Sequence, residues 1–170
     1  MPTSTLDDVD STPTRPAAVW ARRAFLAALL VVVLLGLLGL LGVHSTTASA
    51  SQEGWTVDVE YPAIARAGLD VPWTVKVTHP GGFGDQVTLA VKGSYFEIFE
   101  TQGWQPSPSD ETRDGDTWYL TFNAPEGDTF VVAYDAYIQP SSQRGRDGWV
   151  AVMDSGRRLA TVPFRTVLLP

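Results

Sequence analysis

Few residues of this chain could do chemistry, and their spacing suits no common reaction. The sequence has two histidines and no cysteine, which leaves few nucleophiles or metal ligands. His44 follows a long apolar run and His79 precedes a Pro-Gly turn, so we expect no convergence between them. Glu97 and Glu100 are three positions apart, a spacing that sends two carboxylates to opposite faces of a strand. A glycosidase needs its carboxylates to face each other, so we expect no enzymatic activity and no cofactor.

The densest group of carboxylates lies in residues 110–116, DETRDGD. Calcium prefers about six to eight oxygen ligands, and four acidic side chains here could supply some of them. The spacing does not match an EF-hand loop, however, and Arg113 stands in the middle of the run. The segment therefore predicts a solvated acidic turn, with a calcium site at Asp110, Asp114 and Asp116 as the alternative.

Two tryptophans stand in segments that are rich in turn residues, and they are the candidate binding residues. Trp104 lies in residues 102–108, QGWQPSP, where proline and glycine disfavour the interior of a strand. Such a ring either covers the core or is presented to a partner, because binding residues concentrate on loops. The neighbouring Gln102 and Gln105 could hydrogen-bond the same ligand. Trp149, which follows GRDG, has the same two possible roles.

The part of the chain that must position these residues has an apolar period of two. Trp55, Trp73 and Trp118 fall on alternating positions, which predicts core tryptophans. The predicted strands are residues 55–61, 71–77, 87–91, 95–101, 118–122, 130–138, 149–153 and 159–168. Asp-Ser-Gly-Arg at residues 154–157 predicts a tight hairpin turn. We therefore expect an all-β antiparallel β-sandwich of seven or eight strands, with a closed barrel as the alternative.

An uninterrupted apolar run at residues 24–43, AFLAALLVVVLLGLLGLLGV, predicts one transmembrane helix. Twenty residues of helix span about 30 Å, the thickness of the bilayer core. Arg22 and Arg23 precede the run and the next charge is Glu53, so the N-terminus should face the cytoplasm. The alternative is a signal peptide cleaved after Ala50, since residues 48–50 read Ala-Ser-Ala.

These features divide the chain into four parts. We expect a disordered cytoplasmic tail over residues 1–23, the anchor over 24–43, a flexible stalk over 44–54 and an extracytoplasmic domain over 55–170. Sixteen acidic and nine basic residues follow the anchor, so the formal charge of −7 belongs to the exported part. This charge argues against nucleic acid as a partner.

Two stretches of the domain resemble bacterial extracytoplasmic immunoglobulin-like modules. Residues 65–77, ARAGLDVPWTVKV, look like the corner between their first two strands, and residues 129–138, TFVVAYDAYI, look like their F strand. The layout is also similar to that of single-span membrane proteins of high-GC bacteria. The resemblance implies adhesion, scaffolding or partner binding. We expect an accessory or scaffolding partner of another envelope protein, with a glycan-binding module as the alternative and a hydrolase as a second alternative that no residue constellation favours.

Overall fold

The computed structural model describes residues 16–37, 42–100 and 103–169. Across these residues the chain forms two helices and thirteen strands, so the predicted all-β class is confirmed. The elements are α1 (Pro16–Leu37), β1 (His44–Gln52), β2 (Trp55–Arg66), β3 (Asp70–Val71), β4 (Thr74–Thr78), β5 (Gln86–Lys92), α2 (Gly93–Phe96), β6 (Trp104–Gln105), β7 (Asp110–Asp114), β8 (Thr117–Asn123), β9 (Thr129–Tyr134), β10 (Ala136–Tyr137), β11 (Asp147–Asp154), β12 (Arg157–Arg165) and β13 (Val167–Leu169). They belong to two compact units, Met1–Gly42 and Val43–Pro170.

The first unit contains the apolar helix α1, whose 22 residues are long and apolar enough to cross a membrane. The helix begins at Pro16, since proline at the first helical position has a suitable fixed φ and lacks only an N–H that would be unpaired anyway. Residues 16–23 are therefore helical, and the prediction of a disordered tail is wrong for them. Residues 1–15 of that tail and residues 38–41 of the predicted span lie outside the described residues.

The second unit is a β-sandwich of two main sheets. The first sheet has the order β1-β2-β4-β9-β6, with β13 pairing in parallel to β2, and the second has the order β12-β11-β5-β8-β7. The short strands β3 and β10 form a separate pair. More strands appear than the sequence predicts, partly because three predicted strands are each interrupted once and partly because β1, β6 and β7 are additional.

The core lies between the two main sheets and is built by alternation along each strand. Trp73 is 1% exposed and Trp55 is 9% exposed, so the predicted core role of both is confirmed, while Trp118 is half-buried and packs on the core. The central strands contribute fully buried aliphatic side chains from both sheets: Val57, Val59, Val75, Val77, Leu89, Val91, Leu120, Val132, Val150 and Val152. Burial of this alternating set fixes the register of the central strands, since a slip of one residue would expose it.

Strand β1 corrects the prediction of a flexible stalk over residues 44–54. The strand is antiparallel to β2, with pairs that run from Ser45 opposite Pro62 to Gln52 opposite Trp55. Glu53 and Gly54 connect the two strands, and both have positive φ, as a two-residue hairpin turn requires. The small side chains of β1 carry no hydrophobic pattern of their own, so β1 is ordered by the partner strand and by two alanines that pack against the core.

Two further segments differ from the prediction. The fourth predicted strand, residues 95–101, is wrong: the chain forms the helical turn α2, and residue 101 lies outside the described residues. Because Gly93 has no Cβ, the ring of Trp118 can lie close against the backbone at the start of this turn. The acidic run is an exposed edge strand, β7, rather than a turn; only Gly115 and Asp116 connect it to β8. The predicted turn at residues 154–157 is confirmed, because Asp154 pairs with Arg157.

Candidate functional site

An aromatic pocket lies at the side of the sandwich where the first main sheet ends in β6 and the second ends in β7. It has a volume of about 240 Å³. Five aromatic rings and one pair of opposite charges line it: Phe96, Phe99, Trp104, Trp118, Tyr134, Glu111 and Arg113. A concave, mostly apolar surface with a few polar groups is the usual form of a ligand site. We call this cavity the aromatic pocket.

Trp104 forms the inner wall of the aromatic pocket and is 8% exposed. Backbone pairing with Tyr134 on β9 holds it, and its ring centroid lies 4.7 Å from that of Tyr134, 5.2 Å from Phe96 and 5.6 Å from Trp73. Of the two roles that the sequence leaves open for Trp104, the structure places the ring over the core. Trp104 is nevertheless one of the residues that line the pocket.

Of the two glutamines near Trp104 in the sequence, only Gln105 belongs to the described residues. Gln105 is exposed and lines a second depression of about 460 Å³, together with Gly103, Ala133 and Asp135. Trp104 and Tyr134 form a wall common to this depression and the aromatic pocket. Gln102 lies outside the described residues.

A charged pair on β7 forms part of the lining of the aromatic pocket. Arg113 places its Cζ atom 4.2 Å from the ring centroid of Trp118, its partner across the sheet. Its Nη2 and Nε donate to Oε1 of Glu111 at 2.7 and 3.0 Å. The side chains of Arg113 and Glu111 are 60% and 33% exposed, and an ion pair so open to water is worth only about 0–1 kcal/mol. A ligand could therefore displace the arginine from the ring at small cost.

Trp149 is not part of this pocket. It lies on β11, which is next to the edge strand β12 of the second main sheet, and is half-buried on the outer face of that sheet. The guanidinium of Arg158 stacks 4.5 Å from its ring centroid, and Nη2 of Arg158 donates to Oγ1 of Thr117 at 3.2 Å. Arg158 belongs to β12 and Thr117 to β8, so the arginine side chain lies across the strands between them. The structure thus separates Trp149 from Trp104, and the predicted binding role of Trp149 stays a prediction.

The histidines and the acidic segment have structural contacts. His79 stacks on Trp55 with ring centroids 4.0 Å apart and an interplanar angle of 7°. The carboxylate of Asp116 accepts hydrogen bonds from N and Oγ of Ser94, at 2.6 and 2.8 Å, and so holds the first turn of α2. Within the described ranges, no group of three His, Asp or Glu side chains is placed to hold a metal ion.

Sequence reasoning missed the two charged residues of the aromatic pocket. Glu111 and Arg113 are spaced by two, so on a strand they point to the same face. Residues 110–116 are predicted as a turn because they include no apolar residue. If the segment had been predicted as an edge strand, the alternation of side chains would have placed Glu111 and Arg113 on the same face of the sheet. Phe96 and Phe99 are neighbours in the sequence, but Tyr134 comes from a distant strand, and only the fold brings these rings together.

Comparison with known proteins adds no further identification. No protein-family model matches the chain, and no curated protein is similar to it in sequence.

Proposed function

We propose that this chain is a non-catalytic binding module, anchored in the cell membrane by α1, whose extracytoplasmic domain attaches to another envelope protein. The length and the apolar composition of α1 support a membrane anchor. None of its side chains is buried against the rest of the protein, and exposure of so many apolar side chains to water would be unfavourable. Arg22 and Arg23 support a cytoplasmic N-terminus. The domain then lies on the outer side of the membrane.

The observation that carries this proposal is the unpaired edge of β7 beside the aromatic pocket. Strand β7 pairs with β8 on one side, and no described strand pairs with its other side. An extended segment of a partner could add to that edge by backbone hydrogen bonds. Since Glu111 and Arg113 lie across from the inward-facing Leu120 and Trp118, alternate side chains of the added strand would point toward the pocket.

The charge of β7 indicates the chemistry of the partner segment. The strand carries Asp110, Glu111 and Asp114 against a single Arg113, and all five of its residues are exposed. A basic extended segment would be attracted to this edge, and an acidic segment would be repelled. We propose a partner strand that combines lysine or arginine with an aromatic or aliphatic side chain for the pocket.

Co-purification of the full chain from native membranes in mild detergent tests the proposal. The informative variant is Asp110→Lys with Asp114→Lys, which reverses the charge of the edge and leaves Glu111 and Arg113 in place. The matched control is Asp85→Lys with Glu126→Lys, two exposed residues outside β7. We expect the control to recover the same partner as the unchanged chain and the β7 variant to lose it. Equal recovery by the two variants would contradict a site on β7.

A glycan is the second candidate ligand, and the aromatic pocket is the observation that favours it. Sugars stack on aromatic rings and need hydrogen-bonding groups at the rim, and here Trp118 is half-buried beside Glu111 and Arg113. Calorimetric titration with purified cell-wall glycan would test this. Trp118→Ala should abolish the binding and Trp149→Ala should preserve it, whereas the β7 charge reversal should affect glycan far less than a protein partner.

A further inference from the structure

One cavity in the described part of the domain is lined by arginines, although the domain as a whole is acidic. It has a volume of about 560 Å³ and lies over the turn that connects β10 to β11. Arg144 and Arg146 line it together with Ser141, Ser142 and Glu97. We call residues 139–146 the arginine turn. It holds two of the nine basic residues that follow the anchor, so the local charge is opposite to that of the domain.

The arginine turn is fastened to the fold at its beginning. Gln139 donates from its backbone N to the carbonyl oxygen of Ile98 at 2.9 Å, and from Nε2 to the carbonyl oxygen of Phe99 at 2.6 Å. Ser142 donates from Oγ to the carbonyl oxygen of Ile98 at 3.1 Å and from N to the carbonyl oxygen of Gln139 at 2.9 Å. Three of these bonds are accepted by the backbone carbonyl oxygens of Ile98 and Phe99, which are both buried, so the start of the arginine turn is held against the core.

The end of the arginine turn is fixed by a close contact with Thr166. The backbone N of Thr166 donates to the carbonyl oxygen of Arg146 at 3.0 Å. A Cβ on Gly145 would overlap the carbonyl oxygen of Thr166, so only glycine fits there. The backbone that carries Arg144 and Arg146 is therefore held in place before any ligand arrives, which lowers the entropy cost of binding.

The two arginines differ in how they are neutralised. Nη2 of Arg146 donates to Oε2 of Glu97 at 2.9 Å, and both side chains are about half exposed. Arg144 has no carboxylate within ion-pair distance among the described residues. The cavity thus holds two guanidinium groups against one carboxylate, and one of the guanidinium groups has no counter-charge.

We propose that the arginine turn binds a phosphate group. Guanidinium groups donate paired N–H bonds that match the oxygens of phosphate. Two arginines offer more donors than the two oxygens of a carboxylate can accept, which favours phosphate. The phosphate can belong to a soluble ester or to a lipid headgroup, since both present the same oxygens. The site is separate from the aromatic pocket and does not depend on the function proposed there.

Calorimetric titration of the full chain in maltoside micelles with inorganic phosphate tests the site. We expect binding that Arg144→Gln weakens about tenfold, as for the loss of a charge-assisted hydrogen bond. Lys76→Gln removes the same charge from the outer face of the first main sheet and should leave the affinity unchanged. Glu97→Gln should strengthen binding severalfold because it frees Arg146, and a misfolded protein would not bind more tightly.

Two results would overturn the proposal. One is an equal effect of Arg144→Gln and Lys76→Gln on phosphate affinity, which would indicate attraction by overall charge. The other is a Glu97→Gln variant that binds phosphate no better than the unchanged chain. Competition then identifies the source of the group: phosphatidylglycerol added to the micelles displaces phosphate if the ligand is a headgroup, and soluble glycerol phosphate displaces it if the ligand is an ester in solution.

Discussion

The phenolic oxygen of Tyr95 lies 2.8 Å from Oγ1 of Thr166, and both side chains are completely buried. The bond joins α2 to the segment between β12 and β13, 71 positions later in the chain. Thr166 is the one polar side chain that is buried among the described residues. Because each hydroxyl satisfies the other, the pair can lie in an apolar environment without the penalty of an unpaired polar group.

Removal of both hydroxyls of this pair should lower the free energy of unfolding by less than the sum of the two single removals. Tyr95→Phe leaves the Thr166 hydroxyl buried without its partner, and we expect the free energy of unfolding to fall by about 1–3 kcal/mol. Tyr95→Phe combined with Thr166→Val removes both polar groups, and the double variant should lose less than the sum of the single losses. Urea unfolding followed by tryptophan fluorescence measures all four proteins. Strict additivity would show that the two hydroxyls do not interact.

Burial also makes stability sensitive to high pH. Desolvation of the phenolate raises the pKa of Tyr95 well above the usual value of 10.0, while the hydrogen bond with Thr166 opposes this shift. The folded chain then keeps a proton that the unfolded chain releases above pH 10, so the stabilisation is complete below that pH and declines above it. We expect the difference in free energy of unfolding between the unchanged chain and Tyr95→Phe to fall by about 1.4 kcal/mol per pH unit. A pH-independent difference between pH 10 and pH 11.5 would contradict this.

The order of β1 predicts the effect of truncation after Ala50. A fragment that begins at Ser51 loses most of β1, and with it the pairing that covers the edge of β2. Cross-strand pairs contribute about 0.2–1 kcal/mol each, so we expect a loss of about 2 kcal/mol or more relative to a fragment that begins at Val43. Circular dichroism melts compare the two fragments. N-terminal sequencing of the membrane form should find no terminus at Ser51, and such a terminus would show a cleaved signal peptide.

Trp104 and Trp149 allow a matched test of the covering role. Trp104→Ala should open a cavity among Phe96, Tyr134 and Trp73 and lower the free energy of unfolding by about 3–5 kcal/mol. Trp149→Ala acts on the outer face of a sheet, so a loss of about 1 kcal/mol is expected. Thermal melts of both variants decide the point. Similar small losses would mean that Trp104 does not cover the core.

Alternation of apolar residues made the central strands predictable. The pattern around Val75 and Val77, for example, requires burial on one face only, and the observed strand β4 follows it. The segments that sequence reasoning missed lack such a pattern. Strand β1 has small polar residues and depends on its partner, β7 has charged residues on both faces, and the aromatic residues of α2 have the composition of a strand.

The candidate site was predictable only at its central residue. Trp104 was identifiable because a large aromatic side chain in a segment rich in proline and glycine indicates either a residue that covers the core or a binding residue. Its role depends on Phe96, Trp118 and Tyr134, which lie on three other elements, and no local pattern relates those positions. Arg113 takes its place over Trp118 through the register of β7 against β8, which pairs these two residues directly.

The acidic edge of β7 also has a consequence for an encounter between two copies of this domain. An exposed strand edge is a template for sheet extension between identical chains. Two β7 edges would bring three carboxylates of one copy against three of the other, with only one arginine from each to compensate. The repulsion between these carboxylates should disfavour the pairing of two copies through β7.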